Sequence, residues 1–207
     1  CAVWRIEPEY QEYLPLRERI DRTRKLYGEQ QNLLLMDNNV LASNRLEDII
    51  EDIKSCGFTK GAKYFEPNWY TIAIRNLRLG INNRAYIRKS FKLLQELNTF
   101  KSFNENTRTE IYALREKHGL LHLETCTREA LIATYKDFAP YFDVKFKKRL
   151  GRLRFVDFNQ GVDARLFNRR IVKLLAEIPV RPLRIAFDNI KTEPEYTKAI
   201  MMSEKYG

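Results

Sequence analysis

Residues 152–166 read RLRFVDFNQGVDARL, and the change of character halfway along this stretch decides the fold. Its first part, RLRFVDFN, reads as a strand. The polar side chains of Asp157, Asn159, Gln160, Asp163 and Arg165 then crowd around Gly161. The next segment, ARLFNRRIVKLLAEI (164–178), reads as a helix with Leu166, Ile171, Leu174 and Leu175 turned inward. PLRIAFDN (182–189) follows as a second strand, ending at Asp188 and Asn189.

The same rhythm occurs earlier in the chain. NLLLMDNN (32–39) is a continuous apolar run bounded by polar residues, the pattern of a strand buried on both faces. SNRLEDIIEDIKSCGF (43–58) has Ser43 or Asn44 as N-cap, acidic residues early, and Leu46, Ile49, Ile50 and Ile53 on one face, with Gly57 closing it. Before these, a helix is expected over 9–27, stopping at Gly28, with Pro15 in a first turn if the helix restarts there. Strands separated by helices, each strand ending in Asp or Asn, point to an α/β barrel or a doubly wound sheet. In such folds ligands sit outside the carboxyl ends of the strands.

Between these two α/β stretches the rhythm stops. From about Glu66 to Lys148 the chain reads as several helices, broken at Gly80, near Asn104 and at Gly119, with no run of period two. The expected organisation is therefore 1–65 and 149–207 as two parts of one α/β core, with 66–148 as a helical insertion.

Three strand ends supply a candidate site. The first gives Asp37, Asn38 and Asn39, the second Asn159, Gln160, Asp163 and Arg165, and the third Asp188. Amides and carboxylates converging there can bind the amines and hydroxyls of a polar ligand, and Gly161 allows close backbone approach. The plainer reading is that each Asp or Asn caps the helix that follows.

Composition narrows the classes. The chain has 207 residues, 37 Lys and Arg against 27 Asp and Glu, a net charge of +10 and a pI near 9.5. The excess makes a nucleic-acid partner possible, with KFKKRLGRLR (145–154) as the densest basic stretch. No apolar run approaches the roughly 20 residues of a spanning helix, so no membrane partner is expected. Three widely spaced cysteines, Cys1, Cys56 and Cys126, make no disulfide framework and fit a reducing, cytoplasmic setting. His118 and His122 lie four apart, but Gly119 interrupts them and no third ligand is near. No G-x-S-x-G, P-loop or G-x-G-x-x-G motif occurs.

CAVWRIEPEY (1–10), LLLMDNNVLAS (33–43) and FVDFNQGVDARL (155–166), in this order, resemble the radical S-adenosylmethionine (radical SAM) superfamily. The resemblance covers residues 1 to about 58 and 150 to 200. It implies a partial (β/α)6 barrel, a 4Fe–4S cluster held by a C-x3-C-x2-C motif, and S-adenosylmethionine bound at the fourth iron. In that family an electron from a donor such as a flavodoxin or ferredoxin cleaves the sulfonium, and the resulting 5′-deoxyadenosyl radical abstracts hydrogen from substrate. Carried onto this chain, Cys1 is the third cluster ligand, with the other two expected three and seven positions ahead of it. Asp37, Asn38 and Asn39 fall where the methionine moiety is contacted. Asn159, Gln160, Asp163 and Arg165 fall where ribose, carboxylate or substrate contacts come from, and Asp188 is a further candidate. One cysteine cannot hold the cluster, so the chain as written is expected to be inactive alone. A lipoprotein leader would leave a polar tether after Cys1, where Val3, Trp4 and Ile6 stand instead.

Overall fold

The computed structural model describes residues 16–36, 39–147 and 150–206. The chain divides into two compact units, one of residues 16–22, 30–64 and 152–206 and the other of residues 23–29 and 65–151. Along the chain run α1 (Leu16–Tyr27), β1 (Asn32–Leu35), α2 (Leu46–Ser55) and β2 (Lys63–Tyr64). Five helices follow: α3 (Trp69–Arg78), α4 (Asn83–Asn98), α5 (Glu105–Lys117), α6 (Arg128–Ala133) and α7 (Tyr135–Lys147). The chain then forms β3 (Arg152–Leu153), β4 (Phe155–Phe158), β5 (Val162–Asp163), α8 (Arg169–Leu175), β6 (Ile185–Ala186) and α9 (Glu193–Tyr206).

In the first unit β1 lies parallel to β4, with Leu33 opposite Val156 and Leu35 opposite Phe158. A single parallel bridge sets Val180 on the other side of Val156. β5 and β6 form a second parallel pair, and β2 and β3 a short antiparallel one. The architecture is thus mixed α/β, but the described strands are three two-stranded pairs and close no barrel.

The expected strand RLRFVDFN is split at Arg154, and the side chain explains why. Arg154 is buried, donating from Nη1 to Gly57 O at 3.1 Å and from Nη2 to Gln30 O at 3.0 Å, with its guanidinium 4.6 Å from the centre of the Phe58 ring. Its backbone N–H donates to Ala62 O. The residue before it therefore pairs toward β2 and the residue after it toward β1. The cap of α2 also shifts: Arg45 takes the N-cap position without a side-chain cap, and Ser43 Oγ accepts from Arg45 N at 3.2 Å. Leu46, Ile49, Ile50 and Ile53 of α2 are buried as their spacing requires, in one cluster with Val156, Phe158, Ile171, Val172 and Leu175.

The second unit is helical. Asn68, Asn82, Asn104 and Thr127 cap α3, α4, α5 and α6 by accepting backbone N–H groups of the first turn. Gly80 and Gly119 stand at positive φ where α3 and α5 end, the left-handed stop that glycine adopts without strain. The core gathers Tyr70, Leu94, Leu97, Ile111, Leu131, Phe138 and Phe142, with the Tyr70 and Phe142 rings stacked 4.1 Å apart. Among the described residues no helix is long and apolar enough to cross a membrane.

Two cations of the densest basic stretch are consumed by structure. Lys145 is buried and its Nζ meets Glu96 Oε2 at 2.6 Å, while Arg154 is the internal clamp described above. Lys148 and Arg149 lie outside the described residues. Helix α4 breaks the usual charge pattern instead. Its first turn holds no carboxylate, and Arg84, Arg88 and Lys92 recur at intervals of four. Like charges at that spacing cost about 0.2–0.5 kcal/mol per pair, and cations at a helix N-terminus oppose its dipole.

Candidate functional site

Parallel pairing places the carboxyl ends of β1 and β4 together, and those of β5 and β6 together. A cavity of about 500 Å³ opens at these ends. Asn39 reaches it after β1, Gln160 and Gly161 after β4, Asp163 and Arg165 at and after β5, and Asp188 and Asn189 after β6. Five of the eight residues expected at the ligand site thus line one cavity: Asn39, Gln160, Asp163, Arg165 and Asp188. Asp37 and Asn38 lie outside the described residues, as does Cys1. Asn159 is exposed and is not part of the lining. Its backbone N–H donates to Leu35 O at 3.2 Å, extending the β1–β4 ladder by one bond.

The floor is set by a turn. Gly161 N donates to Phe158 O at 2.8 Å, and Val162 N to Arg184 O at 2.9 Å, which turns the chain from β4 into β5. Gly161 has φ +82°, a conformation that a side chain strains, and a Cβ there would stand 3.4 Å from Arg184 O. The glycine is needed for the positive φ of the turn; the Cβ distance by itself is ordinary contact.

The lining divides by what its polar groups already do. Asp163 caps the short turn that follows, its Oδ1 accepting from Arg165 N at 2.9 Å. It also takes the Arg165 guanidinium on both oxygens, Nε to Oδ1 at 2.9 Å and Nη2 to Oδ2 at 2.5 Å. The Arg165 side-chain hydrogen bond holds the Asp163 carboxyl below the usual range, so the pair is ionised at neutral pH. Asn189 likewise caps, accepting from Lys191 N at 2.9 Å. The capping reading therefore holds for Asp163 and Asn189. Gln160 and Asp188 differ: both are exposed, and among the described residues neither side chain makes a hydrogen bond or ion pair. Their donors and acceptors face the cavity unspent. Asp157, in the same polar cluster of the sequence, is drawn away by an ion pair with Arg184 Nη1.

Thr192 also lines the cavity, a residue the strand-end argument omits. Its Oγ1 donates to Asn189 O at 2.7 Å, closing the turn after β6. The signal for it is the N-x-x-T spacing after a strand end, too common to be read alone.

Among the described residues no group of three His, Cys, Asp or Glu side chains converges. His118 Nε2 stands 3.5 Å from Asp137 Oδ2, an ion-pair distance. Cys56 is packed in the core of the first unit and Cys126 in that of the second. Burial pushes the Cys126 thiol up to about 11, against the opposing pull of the Arg115 guanidinium. The folded thiol then keeps its proton where the unfolded one, near 8.5, loses it. Its contribution to stability is complete below pH about 8.5 and is lost as pH rises toward 11. Iodoacetamide at pH about 8 is accordingly expected to leave Cys126 unmodified in the native chain and to alkylate it in urea. Native alkylation, read by peptide mass, contradicts this burial.

No protein-family model, curated protein or solved structure matches this chain.

Proposed function

We propose that this chain carries the S-adenosylmethionine-binding part of a radical SAM iron–sulfur protein. In this reading the parallel pairs β1·β4 and β5·β6 are pieces of a partial (β/α)6 barrel, and the helical stretch 66–148 is an insertion into it. The observation that carries the reading is the cavity at the strand ends, where residues from four strands converge on one space.

The donor set suits a zwitterionic nucleoside ligand. Asp188 offers a carboxylate to an ammonium or to ribose hydroxyls, and the Gln160 amide can both donate and accept. Arg165, held by Asp163 through Nε and Nη2, keeps Nη1 for a ligand carboxylate. Asn39 adds an amide from the end of β1. When bound, S-adenosylmethionine supplies an activated sulfonium. The chain's own residues bind and orient it, and the Asp163–Arg165 pair fixes one wall before the ligand arrives.

The 4Fe–4S cluster does not fit the described residues. Cys56 and Cys126 are buried in different units, and Cys1, the assigned ligand, lies outside the described residues.

Calorimetric titration with S-adenosylmethionine tests the reading. Binding is expected, and Asp188→Ala and Gln160→Ala are each expected to weaken it by roughly 3–10-fold. Neither side chain is bonded to another described residue, so the thermal midpoint should stay in place. Absence of binding, or unchanged affinity in both variants, overturns the assignment.

A further inference from the structure

Of the chain's 37 Lys and Arg and 27 Asp and Glu, 18 and 10 fall in residues 23–29 and 65–151, leaving 19 and 17 for the rest. The positive excess therefore belongs to the helical unit. Helix α4 carries the largest share of any helix in that unit, four cations against one carboxylate. The buried side of α4 is Tyr86, Ser90, Leu93, Leu94 and Leu97. At about 100° per residue, Arg84, Arg88, Lys92 and Gln95 occupy the opposite side, and all four are exposed. Among the described residues the side chains of Arg84, Arg88 and Lys92 make no hydrogen bond or ion pair, and the helix's one carboxylate, Glu96, is taken by Lys145. Lys89, on the flank, lies 4.0 Å over the Trp69 ring. Helix α5 shows the contrast, because its exposed residues mix Glu105, Glu110 and Glu116 with Lys117 and Arg108 bridges to Glu105.

We infer that the outward face of α4 binds the phosphate backbone of a double-helical nucleic acid. Three unneutralised cations, each about 6 Å further along the axis and turned by about 40°, form a positive row that winds slowly round the helix, and a polyanion relieves its mutual repulsion. Phe91, at the edge of this face, is half-buried against the helical core, so the face presents no exposed ring on which unstacked bases could rest and suits a duplex rather than a single strand. With long, flexible cations and one amide, it reads charge and not sequence. This inference is independent of the S-adenosylmethionine reading and stands or falls without it.

The test is fluorescence anisotropy of a short labelled DNA duplex, with an RNA duplex and a single strand of the same length as further probes. The logarithm of the binding constant is expected to fall against the logarithm of salt concentration with a slope of roughly −3, for about three phosphate contacts. Arg84→Gln/Arg88→Gln/Lys92→Gln should abolish most of that slope and weaken binding by roughly 10-fold or more near physiological salt. Lys117→Gln/Lys136→Gln/Lys147→Gln, which removes the same charge from other exposed positions of the unit, should retain binding within about twofold. Circular dichroism checks that both triple variants stay helical. Equal losses in the two triple variants, tighter binding to the single strand, equal binding to polyglutamate, or no binding to either duplex would each overturn the inference.

Discussion

Phe142→Ala is expected to lower the unfolding free energy by about 3–5 kcal/mol, the range for removing a fully buried ring. Phe142 is 0% exposed and stacks on Tyr70 at 4.1 Å, with Phe146 on its other side at 6.2 Å. Tyr70 is itself fully buried, and its ring cannot follow a retreating neighbour without leaving Tyr135, stacked at 6.0 Å. The space left by truncation therefore stays largely open, and the loss includes a cavity cost beyond the transfer of the ring. Phe142→Leu, which keeps most of the volume, should cost roughly 1–1.5 kcal/mol. Urea unfolding followed by circular dichroism separates the two. A loss below about 1 kcal/mol for Phe142→Ala would mean that the helical core does not close on this ring.

Gly161→Val combines a backbone and a packing penalty, with an expected loss of about 2–3 kcal/mol. At φ +82° a β-branched residue is strained before it touches anything. The added Cβ then stands 3.4 Å from Arg184 O, the acceptor of the Val162 N–H. That Cβ distance is ordinary contact, so the packing penalty comes from the two γ-methyl groups, which must fit beside Arg184 and Ala186 at the cavity that Gly161 helps to line. The variant should therefore lose S-adenosylmethionine affinity as well as stability. Gly161→Ala, with the same backbone strain and less bulk, should lie between it and the natural chain. A change within about 0.5 kcal/mol for Gly161→Val would show that the turn is not built as described.

These two positions illustrate what the sequence discloses and what it hides. The polar cluster around Gly161 is visible because a glycine flanked by carboxylates and amides after an apolar run has a limited set of structural uses. Its division of labour is not visible. That Asp163 spends its oxygens on Arg165, while Asp188 and Gln160 keep theirs, depends on turn geometry fixed by pairing with a strand some twenty residues away. Asp157 shows the same limit: beside Asn159 in the sequence it looks like a site residue, and the ion pair with Arg184 removes it.

The strand RLRFVDFN reads as one element because its side chains favour extended backbone throughout. The break at Arg154 comes from two carbonyls and a ring supplied by Gln30, Gly57 and Phe58, all distant in sequence. The basic run 145–154 likewise reads as uniformly surface, whereas Lys145 and Arg154 are buried and Lys147 and Arg152 are exposed. The helical breaks at Gly80 and Gly119 were legible for a local reason, since a left-handed stop is chosen by the residue that occupies it.

The most direct test of the central claim is amide hydrogen exchange of the chain with and without S-adenosylmethionine. The account predicts slower exchange in residues 159–166 and 185–192, the two segments that line the strand-end cavity, and no change in residues 65–147. Unchanged exchange at saturating ligand, or protection confined to the helical unit, would contradict it.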